Sequence, residues 1–294
     1  MKISTYPAFQ PFTKDCKPLF DAAIALDPPE TSELTFTNLY SFRNAYQLSI
    51  ASLGDFILFR CDSLKTPRFF KPLGPGNPTA VIERVCRESY ATFIRMPQAS
   101  VGPFEGNGRF VIEEDRDNYD YLYKTEELVT LAGRKFDGKR NLIKKFKSSH
   151  IFEYMALDPD SMRKCLQFEE RWCTIKDCDS VEGLRNERAA IREMADNFTE
   201  FGLKGAALMM EGKACAVCIG QRLNQDTMVM HILKADPDIP GLYQTMLHEF
   251  LKREATVFTY INLEQDLGIE GLRKSKLSYH PFTLIRKYTL RFSS

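Results

Sequence analysis

A chain of 294 residues, 44% hydrophobic and 27% charged, is long enough to bury one large core or two smaller ones. Its 40 basic and 39 acidic residues leave a net charge of +1, so no global field draws a polyanion and any basic function must come from local clustering. No apolar run approaches the roughly 20 residues of a membrane span, and no N-terminal stretch has the layout of a signal peptide, so a cytoplasmic protein is expected.

In chain order, "SELTFTNLYSFRN" (Ser32 to Asn44) reads as a helix with Ser32 as a candidate N-cap. "YQLSIASLGDFILFRCDS" then gives two strand-like runs turning at Leu53-Gly54-Asp55. "PRFFKPLGPGN" is a strand ending in a Gly/Pro turn. Asn77-Pro78 opens a helix with Val81, Val85 and Cys86 at helical spacing, and strands follow at Ala91 to Met96 and Arg109 to Glu113. Tyr119, Tyr121 and Tyr123 alternate as in a strand. Thr125 can cap a helix that Gly133 closes, and Asp137 begins another with Leu142, Ile143 and Phe146 inward.

The second half repeats this order. "MRKCLQFEERWCTI" and "GLRNERAAIREMADNF" are helical, and "GAALMMEGKACAVCIGQRL" is a hairpin turning at Glu211-Gly212. "DTMVMHILKA" is a strand, "PDIPG" a turn and "LYQTMLHEFLKREA" a helix. A strand "VFTYINLEQ", a short helix "GIEGLRKSKLS" and a final strand "FTLIRKYTLRF" complete the chain. The economical architecture is α/β (α+β), with two tandem units, each a mixed sheet flanked by helices, divided as 1–149 and 150–294.

The eight cysteines are not needed as a disulfide framework in a chain with this much core. Cys215 and Cys218 form a CxxC, but on an alternating strand they point to opposite faces and read as packing residues. Cys165, Cys173 and Cys178 have no second CxxC and no nearby histidine, so no metal site is expected. His150, His231, His248 and His280 are scattered, and His248 in "TMLHEFL" reads as helix surface or core.

Two segments carry unusual charge. Arg134 to Lys147 holds seven basic residues and one acid, Asp137. A solvated helix face explains it, since like pairs cost only about 0.2–0.5 kcal/mol each; phosphates of a donor, a tRNA or a lipid head group explain it equally. The second is "YINLEQDLGIEGLRKSK", where an apolar strand runs into Glu264, Gln265 and Asp266. If the strand continues that far, Asn262, Glu264 and Asp266 share one face, with Arg273 and Lys276 a short turn later. An ion-pair network and a catalytic wall both fit this pattern. Acyl transfer needs a base for the acceptor, for which Glu264 or Asp266 would serve. It also needs an oxyanion holder, for which Arg273, Lys276 or a backbone N–H would serve. With no GxSxG elbow and no Ser or Cys beside a placed His, a covalent acyl-enzyme is not indicated. The loop "KADPDIPGLYQTML" is a poor pyrophosphate cradle: only Gly241 fits a Gly-rich pattern, and Asp236 and Asp238 oppose phosphate.

"YLYKTEELVTLAGRKFDGKRNLIKKF" with "YINLEQDLGIEGLRKSKLSYHPFTLIRKY" resembles the DUF2156 proteins, which are similar to the C-terminal domain of phosphatidylglycerol lysyltransferases. Those are understood as tandem GNAT-like folds, distantly related to the FemABX aminoacyltransferases. The resemblance spans nearly the whole chain. Its motif residues in the first block are Lys135, Lys139, Arg140 and Asn141; with Lys144 of the same basic helix they are the expected donor- or anion-binding residues. Its motif residues in the second block are Asn262, Glu264, Gln265, Asp266, Gly268, Arg273 and Lys276, among which Glu264, Asp266 and Arg273 are the expected catalytic residues. The activity implied is transfer of an acyl or aminoacyl group, from acyl-CoA or aminoacyl-tRNA, to an amine or hydroxyl acceptor. No tightly bound cofactor and no metal are implied, and peripheral lipid contact stays open. The alternative is a non-catalytic module that binds an anionic ligand or a tRNA with the same residues.

Overall fold

A computed structural model describes residues 2–63, 66–176 and 180–293. In chain order its strands are β1 (Gln10–Pro11), β2 (Leu48–Leu53), β3 (Phe56–Cys61), β4 (Arg68–Phe69), β5 (Thr92–Pro97), β6 (Phe110–Glu114) and β7 (Asp120–Lys124). There follow β8 (Glu153–Ala156), β9 (Lys204–Met210), β10 (Lys213–Arg222), β11 (Thr227–Ala235), β12 (Tyr260–Asn262), β13 (Thr283–Ile285) and β14 (Lys287–Phe292). They form two mixed sheets of seven strands, ordered β1-β2-β3-β4-β5-β14-β6 and β13-β7-β12-β11-β10-β9-β8. The expected α/β class with two sheets is therefore what the chain adopts.

The chain divides into two compact units. The first comprises residues 1–120, 265–269 and 284–294, and the second residues 121–264 and 270–283. This division differs from a single cut after residue 149. Residues 121–149 belong to the second unit because β7 pairs antiparallel with β12, setting Tyr123 opposite Ile261. The segment "FTLIRKYTLRF" is two strands, not one, and β14 enters the first sheet between β5 and β6. Alternation alone cannot reveal such a change of sheet, because both pieces keep period two.

In the first unit the β2–β3 hairpin turns on Gly54, whose φ of 60° suits glycine. Its strands, buried on nearly every residue, contribute Ala51, Leu53 and Leu58 to a core with Phe69, Ile82, Val85, Phe93, Met96 and Leu290. In the second unit the β9–β10 hairpin turns at Glu211 (φ 49°) and Gly212 (φ 74°), the left-handed pair a two-residue turn requires. Tyr121, Tyr123, Phe136, Phe146 and Phe250 are fully buried there. Each contributes about 1.5–3 kcal/mol by burial.

The helix Asp137–Ser149 buries Ile143 and Phe146, as its spacing requires, while Leu142 is only half-buried. The preceding helix Thr125–Thr130 ends on Leu131 in the left-handed conformation, two residues before the glycine expected to close it. Gly241 opens the helix Leu242–Glu254 at φ 87°, and a Cβ there would meet the Leu142 carbonyl oxygen at 2.5 Å. Gly241→Ala should therefore lower unfolding stability by at least about 1 kcal/mol, read by urea titration, through both strain and the clash.

Cys16, Cys61, Cys86, Cys215 and Cys218 are free thiols, with Cys218 buried and Cys215 half-exposed, as opposite strand faces require. Cys173 is disulfide-bonded, a link its spacing does not suggest. Cys178 and the side chain of Cys165 lie outside the described residues. Among the described residues no helix is long and apolar enough to cross a membrane, and no three His, Cys, Asp or Glu side chains assemble as metal ligands.

Candidate active site

The strand expected to run through Gln265 stops at Asn262. β12 lies between β7 and β11, with Asn262 opposite Leu122 on one side and Val229 on the other. Two further backbone bonds hold the chain beyond the strand: Leu263 N–H donates to Tyr121 O (3.0 Å) and Tyr121 N–H to Glu264 O (3.2 Å). Lys276, almost buried, donates its ammonium to the Leu263 carbonyl at 2.6 Å. Fully buried Asn262 accepts the Glu264 N–H on Oδ1 at 2.7 Å. These contacts over-determine Glu264, which sits at φ 57°, a left-handed conformation costing a residue with a side chain about 1–3 kcal/mol. Strain kept at one carboxylate by several fixed partners is a pattern associated with functional sites.

That backbone turn sets Glu264 Oε1 2.7 Å from Nδ1 of His231. His231 occupies a bulge in β11: Ile232 pairs with Ile219 and Met230 with Gly220, leaving His231 without an opposite residue. A glycine is required at 220, where a Cβ would meet Val229 O at 2.7 Å. The His231 side chain is 1% exposed and that of Glu264 18%, so the carboxylate meets solvent and the imidazole lies behind it. A carboxylate only accepts, so Nδ1 carries the proton and donates it to Glu264. Among the described residues, buried Nε2 has no hydrogen-bond partner. The arrangement presents a proton acceptor at the surface, oriented from within by a histidine.

Gln265, Asp266 and Gly268 belong to the first unit. Gln265 Nε2 donates to Ser32 Oγ (2.7 Å), Glu33 Oε1 (2.8 Å) and Asp120 Oδ1 (2.9 Å). Fully buried Lys287 donates to both Glu33 oxygens (2.6 and 2.7 Å) and to Asp120 Oδ1 (2.6 Å). Burial pushes the Glu33 carboxyl up, Lys287 pulls it back, and Asp120 adds to the net rise. Asp266, also fully buried, accepts from Arg116 Nη1 at 3.1 Å and from the Gly268 N–H at 2.9 Å. Gly268 has φ 74°, and a Cβ there would lie 2.8 Å from Asp117 Oδ2. These residues form a buried polar framework, and neither Gln265 nor Asp266 shares a strand face with Glu264. Arg273 is half-buried on the helix Glu270–Leu277.

The basic segment divides its duties. Lys135 pairs with Glu127 at 2.6 Å. Lys139 donates to Ser278 Oγ at 2.6 Å, with its ammonium 4.0 Å from the Tyr279 ring centre, and burial pulls its pKa down. Arg140 caps the preceding helix end through the carbonyls of Leu131 and Gly133, the latter at 2.8 Å, and pairs with Asp137. Asn141 and Lys144 are exposed. Arg140 and Lys144 line a cavity of about 580 Å³, whereas Lys135 and Lys139 do not.

A second cavity, about 460 Å³, is walled by the loop Ala235 to Gly241 with Trp172, Lys234 and Tyr243. In that loop the Asp238 N–H donates to Asp236 Oδ1 (3.0 Å) and the Ile239 N–H to Asp236 O (3.3 Å). These two loop amides are thus occupied, one of them by a carboxylate.

Residues 25–291 match the family described as phosphatidylglycerol lysyltransferase, C-terminal. An uncharacterized protein of Mycoplasmoides gallisepticum is 27% identical over 186 residues, which are 62% of this chain and 58% of that protein's length. A conserved protein of unknown function from Bacteroides thetaiotaomicron has a similar structure at TM-score 0.89 and 34% identity, over 97% of this chain and 99% of that one. L-PGS of Bacillus licheniformis is similar at TM-score 0.65 and 12% identity, over 99% of this chain and 94% of that one, a likeness of fold. The α/β fold with its two seven-stranded sheets is what the structural matches share with it. The chain belongs to the phosphatidylglycerol lysyltransferase C-terminal family.

Proposed function

We propose that this chain transfers an acyl or aminoacyl group from an activated donor to an amine or hydroxyl acceptor, with Glu264 as the general base. The observation that carries the reading is the partly exposed Glu264 carboxylate fixed by buried His231 at 2.7 Å. In the reaction Glu264 takes a proton from the acceptor N–H or O–H as that atom bonds to the donor's carbonyl carbon. The donor's ester bond then breaks, and its oxygen leaves with the proton returned by Glu264. Arg273 is the proposed oxyanion holder. Lys276 acts on backbone geometry instead, since its ammonium is bonded to Leu263 O.

The donor we infer is an aminoacyl ester such as aminoacyl-tRNA, in preference to acyl-CoA. Family membership supports a transferase, and the self-satisfied, acidic loop Ala235 to Gly241 offers little to a pyrophosphate. The basic segment, Lys144 foremost, would meet the phosphates of such a donor. The test supplies two labelled donors separately, bulk charged tRNA and acetyl-CoA, with phosphatidylglycerol vesicles and a mixture of small amines as acceptors. Label should move from tRNA and not from the thioester. Transfer from acetyl-CoA alone contradicts the donor assignment. Salt-sensitive tRNA binding with no transfer from either donor supports a binding module instead.

A further inference from the structure

The 460 Å³ cavity of the second unit differs in character from the basic segment. Its walls include Trp172, Leu233, Ile239 and Tyr243, and two prolines, Pro237 and Pro240, restrict the loop beside it. That loop is held from within. Besides the two amides already described, the Asp236 N–H donates to Cys215 O (2.9 Å) and the Leu242 N–H to Ile239 O (3.3 Å). A cavity braced in this way is formed before a ligand enters it, which lowers the cost of binding.

Two charged side chains line it, Lys234 and Asp236. The Lys234 charge is already answered: its ammonium meets Glu169 at 2.9 Å and Glu187 at 2.8 Å, and lies 3.8 Å from the Trp172 ring centre. Asp236 forms no ion pair among the described residues. Its Oδ1 accepts the Asp238 N–H, which leaves Oδ2 open on a half-buried side chain. Tyr243 is also half-buried, and its hydroxyl has no hydrogen bond among the described residues. Burial pushes its pKa up to about 12, so it stays a donor at neutral pH. The cavity therefore offers apolar walls, one carboxylate acceptor and one hydroxyl donor. It also adjoins the Glu264–His231 pair. Leu233 follows His231 by two residues on β11, about 7 Å along a strand. Tyr243 neighbours Tyr123, whose hydroxyl donates to Lys276 O (2.8 Å), and Lys276 in turn holds Leu263, the residue before Glu264.

We infer that this cavity receives the aminoacyl group of the donor and selects an uncharged, bulky apolar side chain. The ammonium of the amino acid meets Asp236, its carbonyl accepts from Tyr243, and its side chain packs on Trp172, Leu233 and Ile239. A lysyl side chain would bring in a second ammonium. Among the described residues the single open carboxylate of the lining is then already used, and burying a charge without a partner is costly. The inference rests on the aminoacyl-ester donor proposed above and adds which amino acids that donor carries. Binding tests it separately: transfer of basic amino acids alone would sink only this inference, whereas binding without transfer would sink only the transferase reading.

Trp172 is the only tryptophan of the chain, so its fluorescence reports on this cavity directly. Leucinamide and phenylalaninamide stand in for the aminoacyl ester, since they keep the ammonium and the carbonyl without the labile bond. Both should change the Trp172 emission saturably. Both should bind at least tenfold tighter than N-acetylleucinamide, which lacks the ammonium, and isopentylamine, which lacks the carbonyl. Lysinamide, with its charged side chain, should be weaker by the same margin. Asp236→Asn keeps the acceptor for the Asp238 N–H and should bring leucinamide down to the affinity of its N-acetyl form, with an unchanged circular dichroism spectrum. The ligand series on the wild-type protein needs no variant to fold. No saturable change with either amide overturns the inference, as does lysinamide, N-acetylleucinamide or isopentylamine binding as tightly as leucinamide.

Discussion

Lys287→Met should be the most damaging conservative-sized substitution in the first unit, lowering its stability by about 3–5 kcal/mol. The side chain is fully buried, and its ammonium is the common partner of Glu33 and Asp120. Methionine fills similar volume but leaves both carboxylates facing Gln265, Ser32 and, at 3.7 Å, Arg95. Typical domain stabilities are about 5–15 kcal/mol, so the loss is a large share of the whole. The deficit should also depend on pH. Glu33 already has its pKa raised in the folded state by burial, and Lys287 is the main force pulling it down. A raised folded pKa gives stability that is fully present below the unfolded value and lost as pH rises through the folded one. Removing Lys287 enlarges that rise, so the variant's deficit should grow from acid to neutral pH in urea titrations. Pairing it with Glu33→Gln should recover part of the loss; an additive double variant would show that the two side chains do not depend on each other.

Glu264→Gln should lower transfer by about 10²–10⁴-fold while the fold survives, because general-base catalysis contributes on that scale. Glutamine keeps the shape and can still accept from His231 Nδ1, so the carboxylate's basicity is what is removed. The cost in stability should be small, since Glu264 is partly solvated and its backbone is held by Asn262 and Tyr121 independently of the side chain. Circular dichroism and urea titration check the fold beside the rate. A variant as active as wild type would exclude Glu264 as the base.

Much of this was legible in the residues. Period-two runs with Gly54 and Glu211-Gly212 between them mark the hairpins, because turn chemistry is local. The apolar stripe of Asp137–Ser149 likewise reads directly as a helix. What escaped depends on contacts distant in sequence. Glu264, Gln265 and Asp266 look like one continued strand. In the structure Asn262 ends the ladder, Glu264 turns left-handed, and its two neighbours join the buried polar framework of the first unit. His231 looked like one scattered histidine in an apolar strand. Only the bulge opposite Gly220 and the 33-residue separation from Glu264 make it a partner, and neither has a signature in local spacing. Lys287, one of several basic residues near the C-terminus, becomes the centre of a buried cluster because β14 changes sheets.

The central claim is that this chain moves an acyl group and that Glu264 accepts the proton. The direct measurement is transfer of a labelled amino acid from charged tRNA into phosphatidylglycerol vesicles and small amines, by wild type and Glu264→Gln side by side. The account predicts label in a tRNA-free product with the wild type and a loss of at least about a hundredfold with a folded variant. Equal transfer by the two proteins, or none by the wild type with any acceptor, would contradict it.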